Sequence, residues 1–257
     1  MIEYVISPEP QVSLAVIGER RRFPVRRIFC VGRNYAAHAR EMGQDPDREP
    51  PFFFTKPASS IVPEGVDIPY PPQTAEFHFE AELVIAIGQE AIACSVAHAR
   101  ECIYGVAIGN DLTRRDLQSK AKDKGQPWDW GKGFDHSAVC GPIHPVATVA
   151  DLSRGRIELQ LNGQVKQEGD LADLIWSVDE VISIISQSMV LRPGDLIYTG
   201  TPAGVGPMQV GDVVQISIDG LGAIEHTIVA PDARFQSTND GSGTISISCP
   251  PGPSVST

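Results

Sequence analysis

The chain has 257 residues, 42% of them hydrophobic, and a formal charge of -11 from 32 acidic and 21 basic residues. This length suits one large domain or two small ones, with enough apolar material for a sizeable core without disulfides. The charge excludes a nucleic-acid partner, because a polyanion is repelled overall and no basic run makes a local exception; it suits a protein that gathers cations. The five cysteines (30, 94, 102, 140 and 249) are odd in number and lack CxxC spacing. They fit neither a disulfide scaffold nor a zinc ribbon, and they point to a reducing, cytoplasmic home. The start Met1-Ile2-Glu3-Tyr4-Val5 has no basic or apolar leader pattern, and no apolar run approaches about 18 residues, so neither a signal peptide nor a membrane span is expected.

In chain order, residues 1–26 read as short strands that lead into Arg27-Ile28-Phe29-Cys30-Val31-Gly32. A short helix fits 35–42, and the polar, Pro-rich stretch 43–51 is a surface loop. Phe52-Phe53-Phe54-Thr55 reads as a buried strand, and prolines 57, 63, 69, 71 and 72 forbid long helices after it. Residues 79–88 alternate and are β-branched, which predicts a strand. A helix near 95–102, a strand near 103–110 and a helix over 113–124 capped by Thr113 follow. Asn162-Gly163 joins two strands of a hairpin, and Ser177-Val178-Asp179-Glu180 is a capping box opening a helix to about 189. Short strands then run to about Val229, and 231–257, rich in Ser, Thr, Gly and Pro, reads as a low-complexity tail outside the domain. Short strands without a βαβ rhythm make the fold class α+β with a β-rich core and few short helices.

Four segments carry candidate chemistry. Glu80 and Glu82 sit two apart in an apolar strand, so their carboxylates share a face. Close anions near a core call for a cation, although an edge strand with a wet acidic face has the same pattern. Asp111, at the end of an apolar strand, is either a turn cap or a third ligand. Three carboxylates would suit a hard cation, Mg²⁺ or Mn²⁺. His38 and Glu41 share a face of any helix they occupy, as a base with its orienting carboxylate or as ordinary surface charges. Lys132, within Trp128-Asp129-Trp130-Gly131-Lys132-Gly133-Phe134, is either solvent-facing or placed to stabilise an oxyanion. The Gly-rich stretch 200–206 lacks the Lys-Ser/Thr of a phosphate-binding loop.

Taken in order, several segments resemble the fumarylacetoacetate hydrolase family over about 27–229. They are Cys30-Val31-Gly32-Arg33-Asn34-Tyr35 with His38 and Glu41, Thr55-Lys56-Pro57, Glu80-Ala81-Glu82, residues 111–118, Lys132-Gly133-Phe134 and Thr199-Gly200-Thr201-Pro202. Tyr70-Pro71-Pro72, Thr113-Arg114-Arg115-Asp116 and residues 133–138 narrow the likeness to the acylpyruvase and fumarylpyruvate hydrolase branch.

The resemblance implies a mixed β-sandwich roll over 27–230, a homodimer, and Mg²⁺ or Mn²⁺ on Glu80, Glu82 and Asp111. It makes His38 and Glu41 the water-activating pair. It puts Lys132 and Gln118 near the reacting carbonyl, Thr201 at the substrate carboxylate, and Arg33 at the pocket's border. The implied reaction is hydrolysis of a C–C bond in a 2,4-diketo acid, best fumarylpyruvate, to an acid and pyruvate. A β-keto acid decarboxylase of the oxaloacetate type, a sugar-acid dehydratase or dienoate isomerase, and an inert metal- or ligand-binding protein are the alternatives. Where relatives often carry two histidines before the first metal glutamate, this chain has His78-Phe79. Arg114, beside Arg115, stands where many relatives have a small residue, and is expected near the pocket, able to bind a fumaryl carboxylate.

Overall fold

A computed structural model describes residues 3–36 and 49–235. The expected helix over 35–42 lies outside them from residue 37 onward, and the tail lies outside them beyond 235.

A mixed sheet forms the centre. Its strands run in the order Phe53–Lys56, Arg27–Val31, Asp195–Tyr198, Ala81–Ile87, Ile103–Asp111, Ala138–Cys140 and Ile61–Pro63, with His144–Pro145 pairing beside Ile103–Asp111. Two pairs are parallel, Asp195–Tyr198 with Arg27–Val31 and Ala138–Cys140 with Ile61–Pro63; the others are antiparallel. A second sheet, in the order Gln164–Asp170, Arg156–Leu161, Val213–Ile218, Gly222–Val229 and Ile68–Pro69, stacks on it. The α+β expectation holds, and the chain has the fold of the fumarylacetoacetate hydrolase type.

The central strand explains its own composition. Side chains alternate across a strand, and in Ala81–Ile87 both faces are covered. Leu83, Ile85 and Ile87 join the core shared with Ile157, Leu159, Ile216 and Ile224 of the second sheet. Val84 and Ala86 join a core on the other face, with Ile28, Leu196, Tyr198 and the N-terminal Leu14, Phe23 and Val25. A continuous apolar run is what double burial demands. The N-terminal strands Ser13–Leu14 and Phe23–Pro24 thus close the second face. Asp195, fully buried, ties the parallel pair together, because Arg26 and Arg27 both reach it at 2.8–2.9 Å.

Local expectations hold where the backbone decides them. Asn162 and Gly163 both have positive φ (53° and 75°), as a type I′ hairpin turn requires. Ser177 and Glu180 form both halves of the capping box on the helix Val178–Ser188. Three expectations are corrected. The helix after Asp111 is Arg115–Asp123, and Thr113–Arg114 is instead a short strand paired with Phe77–Phe79. Thr113 Oγ1 donates to the Asp111 carbonyl and caps nothing, because the chain is still extended there. Phe53–Lys56 is only half-buried, and its one fully buried side chain is Lys56. The strand expected over 79–88 is interrupted at Glu80.

Gly109 lies where the central sheet leaves no room. A Cβ there would meet Val84 Cγ2 at 2.5 Å and Tyr198 Cε1 at 2.7 Å. Tyr198 cannot yield easily, since its hydroxyl donates to the Val139 carbonyl at 2.9 Å. Gly109→Ala is therefore expected to cost about 1–3 kcal/mol by overpacking. Denaturant titration checks this, and an unchanged midpoint would contradict the packing described.

Candidate metal centre

The break at Glu80 builds the site. Before it, Phe77–Phe79 pairs with Thr113–Arg114 and Gly206–Pro207; after it, Ala81–Ile87 enters the central sheet. At the break, two buried side-chain carbonyls replace ladder partners. Glu80 N–H donates to Asn110 Oδ1 at 2.8 Å, and Ala81 N–H donates to Gln167 Oε1 at 3.0 Å. Asn110 is held in turn by His226, whose Nε2 lies 3.1 Å from the Asn110 amide nitrogen. Burial lowers the His226 pKa to about 4, so the ring is neutral and can accept that bond. Asp111 N–H donates back to the Glu80 carbonyl at 2.9 Å. As a result, carboxylate oxygens of Glu80, Glu82 and Asp111 lie within 4.8 Å of one another, and all three side chains are buried.

Cations surround two of the three. Lys132 Nζ bridges Glu80 at 2.6 Å and Asp111 at 2.8 Å, and Arg115 Nη2 holds the other Glu80 oxygen at 2.5 Å. Lys132 is buried, not solvent-facing. Burial alone would lower its pKa, but Asp111 and Glu80 outweigh that and raise it, so it stays charged. Lys56 Nζ donates its protons to the carbonyls of Leu112, Lys132 and Ser137. It also pairs with Asp111 Oδ1 at 2.8 Å. Among the described residues Glu82 has no side-chain ion pair, and it accepts the Gly200 N–H at 2.7 Å. Burial, then Asp111 and Glu80, push its pKa well above the carboxylate range.

Three buried carboxylates, one of them with its pKa raised by burial and by the other two, make a site that fits a further cation. The all-oxygen donor set suits a hard ion such as Mg²⁺ or Mn²⁺.

The triad opens on a cavity of about 150 Å³. Of the residues singled out in the sequence, Arg33, Arg115, Gln118, Lys132 and Thr201 line it with Glu80 and Glu82. Arg115 Nη1 donates to Gln118 Oε1 at 2.5 Å, and Arg33 pairs with Glu49 at 2.7 Å. His78 Nδ1, 3.5 Å from Arg115 Nε, steadies that arginine from behind; burial and the adjacent guanidinium lower its pKa to about 4. His38 and Glu41 lie outside the described residues.

Arg114 is not in this cavity, contrary to expectation. Its guanidinium lies 4.2 Å from the Phe134 ring centroid and lines another cavity with Tyr70, Pro71, Pro72 and Asp135. The extended backbone at 114 directs it away from Arg115, which begins the helix. Lys56, Asn110, Gln167 and His226 were missed as individual contributors. The signals for Lys56 were its place in Thr55-Lys56-Pro57 and a lysine closing a largely apolar strand, and the other three sit among ordinary strand residues.

Residues 27–229 match the family described as fumarylacetoacetate (FAA) hydrolase C-terminal. The chain belongs to the fumarylacetoacetate hydrolase family. It is 45% identical over 189 residues to a fumarylpyruvate hydrolase from Ralstonia sp, covering 73% of this chain and 98% of that one. It is 37% identical over 207 residues to a mitochondrial oxaloacetate tautomerase from Bos taurus, covering 80% and 93%. Among solved structures, the fumarylpyruvate hydrolase from Pseudomonas aeruginosa in complex with Mn²⁺ and pyruvate superposes with a TM-score of 0.87 at 48% identity, covering 89% of this chain and 100% of that one.

Glu82 gives a stability test. Its folded pKa is raised, so the folded state binds a proton more tightly than the unfolded chain. The metal-free protein therefore loses stability as pH rises from the ordinary glutamate range through that raised value. Glu82→Gln removes the loss and keeps an acceptor for Gly200 N–H. The metal-free variant is expected to melt higher than wild type at neutral pH, with the gap narrowing toward pH 5. Melting curves from pH 5 to 8 check this; parallel curves for variant and wild type would contradict it.

Proposed function

We propose that the chain is a metal-dependent hydrolase that cuts the C–C bond of an acylpyruvate, best fumarylpyruvate. The observation that carries the reading is the buried triad of Glu80, Glu82 and Asp111, flanked by Lys132 and open to a cavity with Arg33 and Thr201. The likeness to two fumarylpyruvate hydrolases supports the substrate class. Mg²⁺ or Mn²⁺ on the three carboxylates would act as a Lewis acid on the carboxylate and 2-keto oxygens of the substrate.

The chain's residues have the following parts in this reading. Thr201 and Arg33 hold the pyruvate end. His38, oriented by Glu41, takes a proton from water, whose oxygen attacks the 4-carbonyl. The Lys132 ammonium, already directed at the triad, stabilises the oxyanion formed there, and Gln118, whose Oε1 accepts from Arg115, stands near the same carbonyl. The C3–C4 bond then breaks, its electron pair leaves as the enolate of pyruvate, and protonation at C3 completes the reaction. The catalytic unit is residues 27–230, and it works as a cytoplasmic homodimer. Among the described residues no helix is long and apolar enough to cross a membrane.

A second reading, enolisation or decarboxylation of oxaloacetate, is supported by the 37% identical tautomerase. It needs the same ion and enolate but no attacking water. The two readings separate on His38.

Pyruvate release from fumarylpyruvate is expected to require Mg²⁺ or Mn²⁺ and to stop with a chelator. His38→Ala should lower turnover at least about a hundredfold, the lower range for a lost general base, with Mn²⁺ affinity retained. Arg114→Ala, whose side chain lines another cavity, should change kcat/KM by less than about twofold. Faster turnover of oxaloacetate than of any acylpyruvate, undiminished by His38→Ala, would favour the second reading.

A further inference from the structure

Gln167 joins the two halves of the site from the opposite sheet. It lies in Gln164–Asp170 and is completely buried. Its Oε1 accepts from Ala81 N–H, between the two glutamates of the triad. Its Nε2 donates to Thr201 Oγ1 at 2.7 Å and to the Pro202 carbonyl at 2.8 Å. These partners leave no choice in the amide's orientation. A backbone N–H can only donate and a backbone carbonyl can only accept, so the oxygen must face Ala81 and the nitrogen must face Pro202.

The hairpin is shaped to deliver this side chain. Leu159 pairs with Gln167 and Gln160 with Val165, so Lys166 is an extra, unopposed residue in a bulge. The loop after Thr201 packs against that bulge. A Cβ on Gly204 (φ +96°) would lie 2.1 Å from the Lys166 carbonyl oxygen, and one on Gly169 would lie 2.9 Å from Pro202 Cβ. Glycine at both positions lets strand and loop approach closely enough for one amide to span them.

The consequence falls on the Thr201 hydroxyl. One lone pair is taken by the Gln167 amide, so its single proton must point elsewhere. Among the described residues Thr201 donates no hydrogen bond, and it lines the cavity beside Gly200 and Glu82. We propose that Gln167 is a positioning residue that fixes the Thr201 hydroxyl as a hydrogen-bond donor toward the carboxylate of a 2-keto acid ligand. This rests on the placing of Thr201 at the substrate carboxylate in the reading above. Gln167 itself touches no reacting atom. It fills one of the hydroxyl's two lone pairs and leaves the proton to turn toward the cavity, which favours an anionic, acceptor-only group there.

The test is pyruvate binding to the Mn²⁺-loaded protein by calorimetry at pH 8.5, with Mn²⁺ affinity measured beside it. Gln167→Glu keeps the acceptor for Ala81 N–H but offers Thr201 a carboxylate, which turns the hydroxyl proton away from the cavity. It is expected to weaken pyruvate at least roughly tenfold, the scale of one lost charge-assisted hydrogen bond, with no weakening of Mn²⁺. Gln167→Met removes the donor without adding a competing acceptor and is expected to fall between Gln167→Glu and wild type. In a Thr201→Val background, Gln167→Glu should have no further effect on pyruvate, because the hydroxyl it acts through is gone. The proposal is overturned if Gln167→Glu binds pyruvate like wild type, if its loss persists undiminished in the Thr201→Val background, or if wild type has no pyruvate affinity. Fumarylpyruvate cleavage is read separately: a wild type that binds pyruvate through this pair but cleaves no acylpyruvate leaves the positioning role standing and removes the hydrolase reading.

Discussion

Three carboxylates held out of water within reach of one ion set the terms for everything around them. With oxygens no more than 4.8 Å apart, each pair, when both members are ionised, repels by at least about 3.5 kcal/mol at an effective dielectric constant near 20. Three such pairs approach the roughly 5–15 kcal/mol by which a whole domain is stable. The cluster therefore exists only because Lys132, Arg115 and Lys56 arrive from three separate segments to oppose it. Lys56 is held by three backbone carbonyls and pairs with Asp111. Its placement also holds together the chain around Leu112, Lys132 and Ser137. The carboxylate left least compensated, Glu82, is the one whose protonation state is most sensitive to what else enters the site.

The backbone carries an equal part. An interruption between Phe77–Phe79 and Ala81–Ile87 would leave unpaired amides in the interior, which is costly. Asn110 and Gln167 fill those places with side-chain carbonyls, and His226 and Thr201 stand behind them. The positions of the charged groups are therefore set by uncharged, fully buried ones that belong to both sheets.

Much of this was legible in the sequence, for identifiable reasons. Glu80 and Glu82 stood out because an i, i+2 pair inside an apolar strand must share a face, and Asp111 because it ended the neighbouring strand. Asn162-Gly163 and Ser177 with Glu180 were readable because their signals are local. Arg114 was misplaced because a helix was assumed to start at Thr113; one extended residue pair sends adjacent side chains apart. Lys56 and Gln167 were unreadable in a different way. Their partners lie from 34 to 86 residues away, and a strand of alternating polar residues such as Gln164–Asp170 gives no hint of which amide turns inward after a bulge.

The parallel pairing of Arg27–Val31 with Asp195–Tyr198 has a consequence in time. Arg27 and Asp195 are 168 residues apart, so at the usual 5–20 residues per second the first strand leaves the ribosome roughly 8–34 s before its neighbour. From its own synthesis until then, Ala81–Ile87 also lacks one of its two partners, since Asp195–Tyr198 lies between it and Arg27–Val31. The growing chain thus carries an open, water-averse sheet edge for most of its synthesis, the state in which strands pair with the wrong neighbour. Biogenesis of this fold is in that sense a matter of waiting, and a slowed ribosome or a scarcity of chaperones that shield nascent strands would reduce its yield without altering any property of the finished molecule.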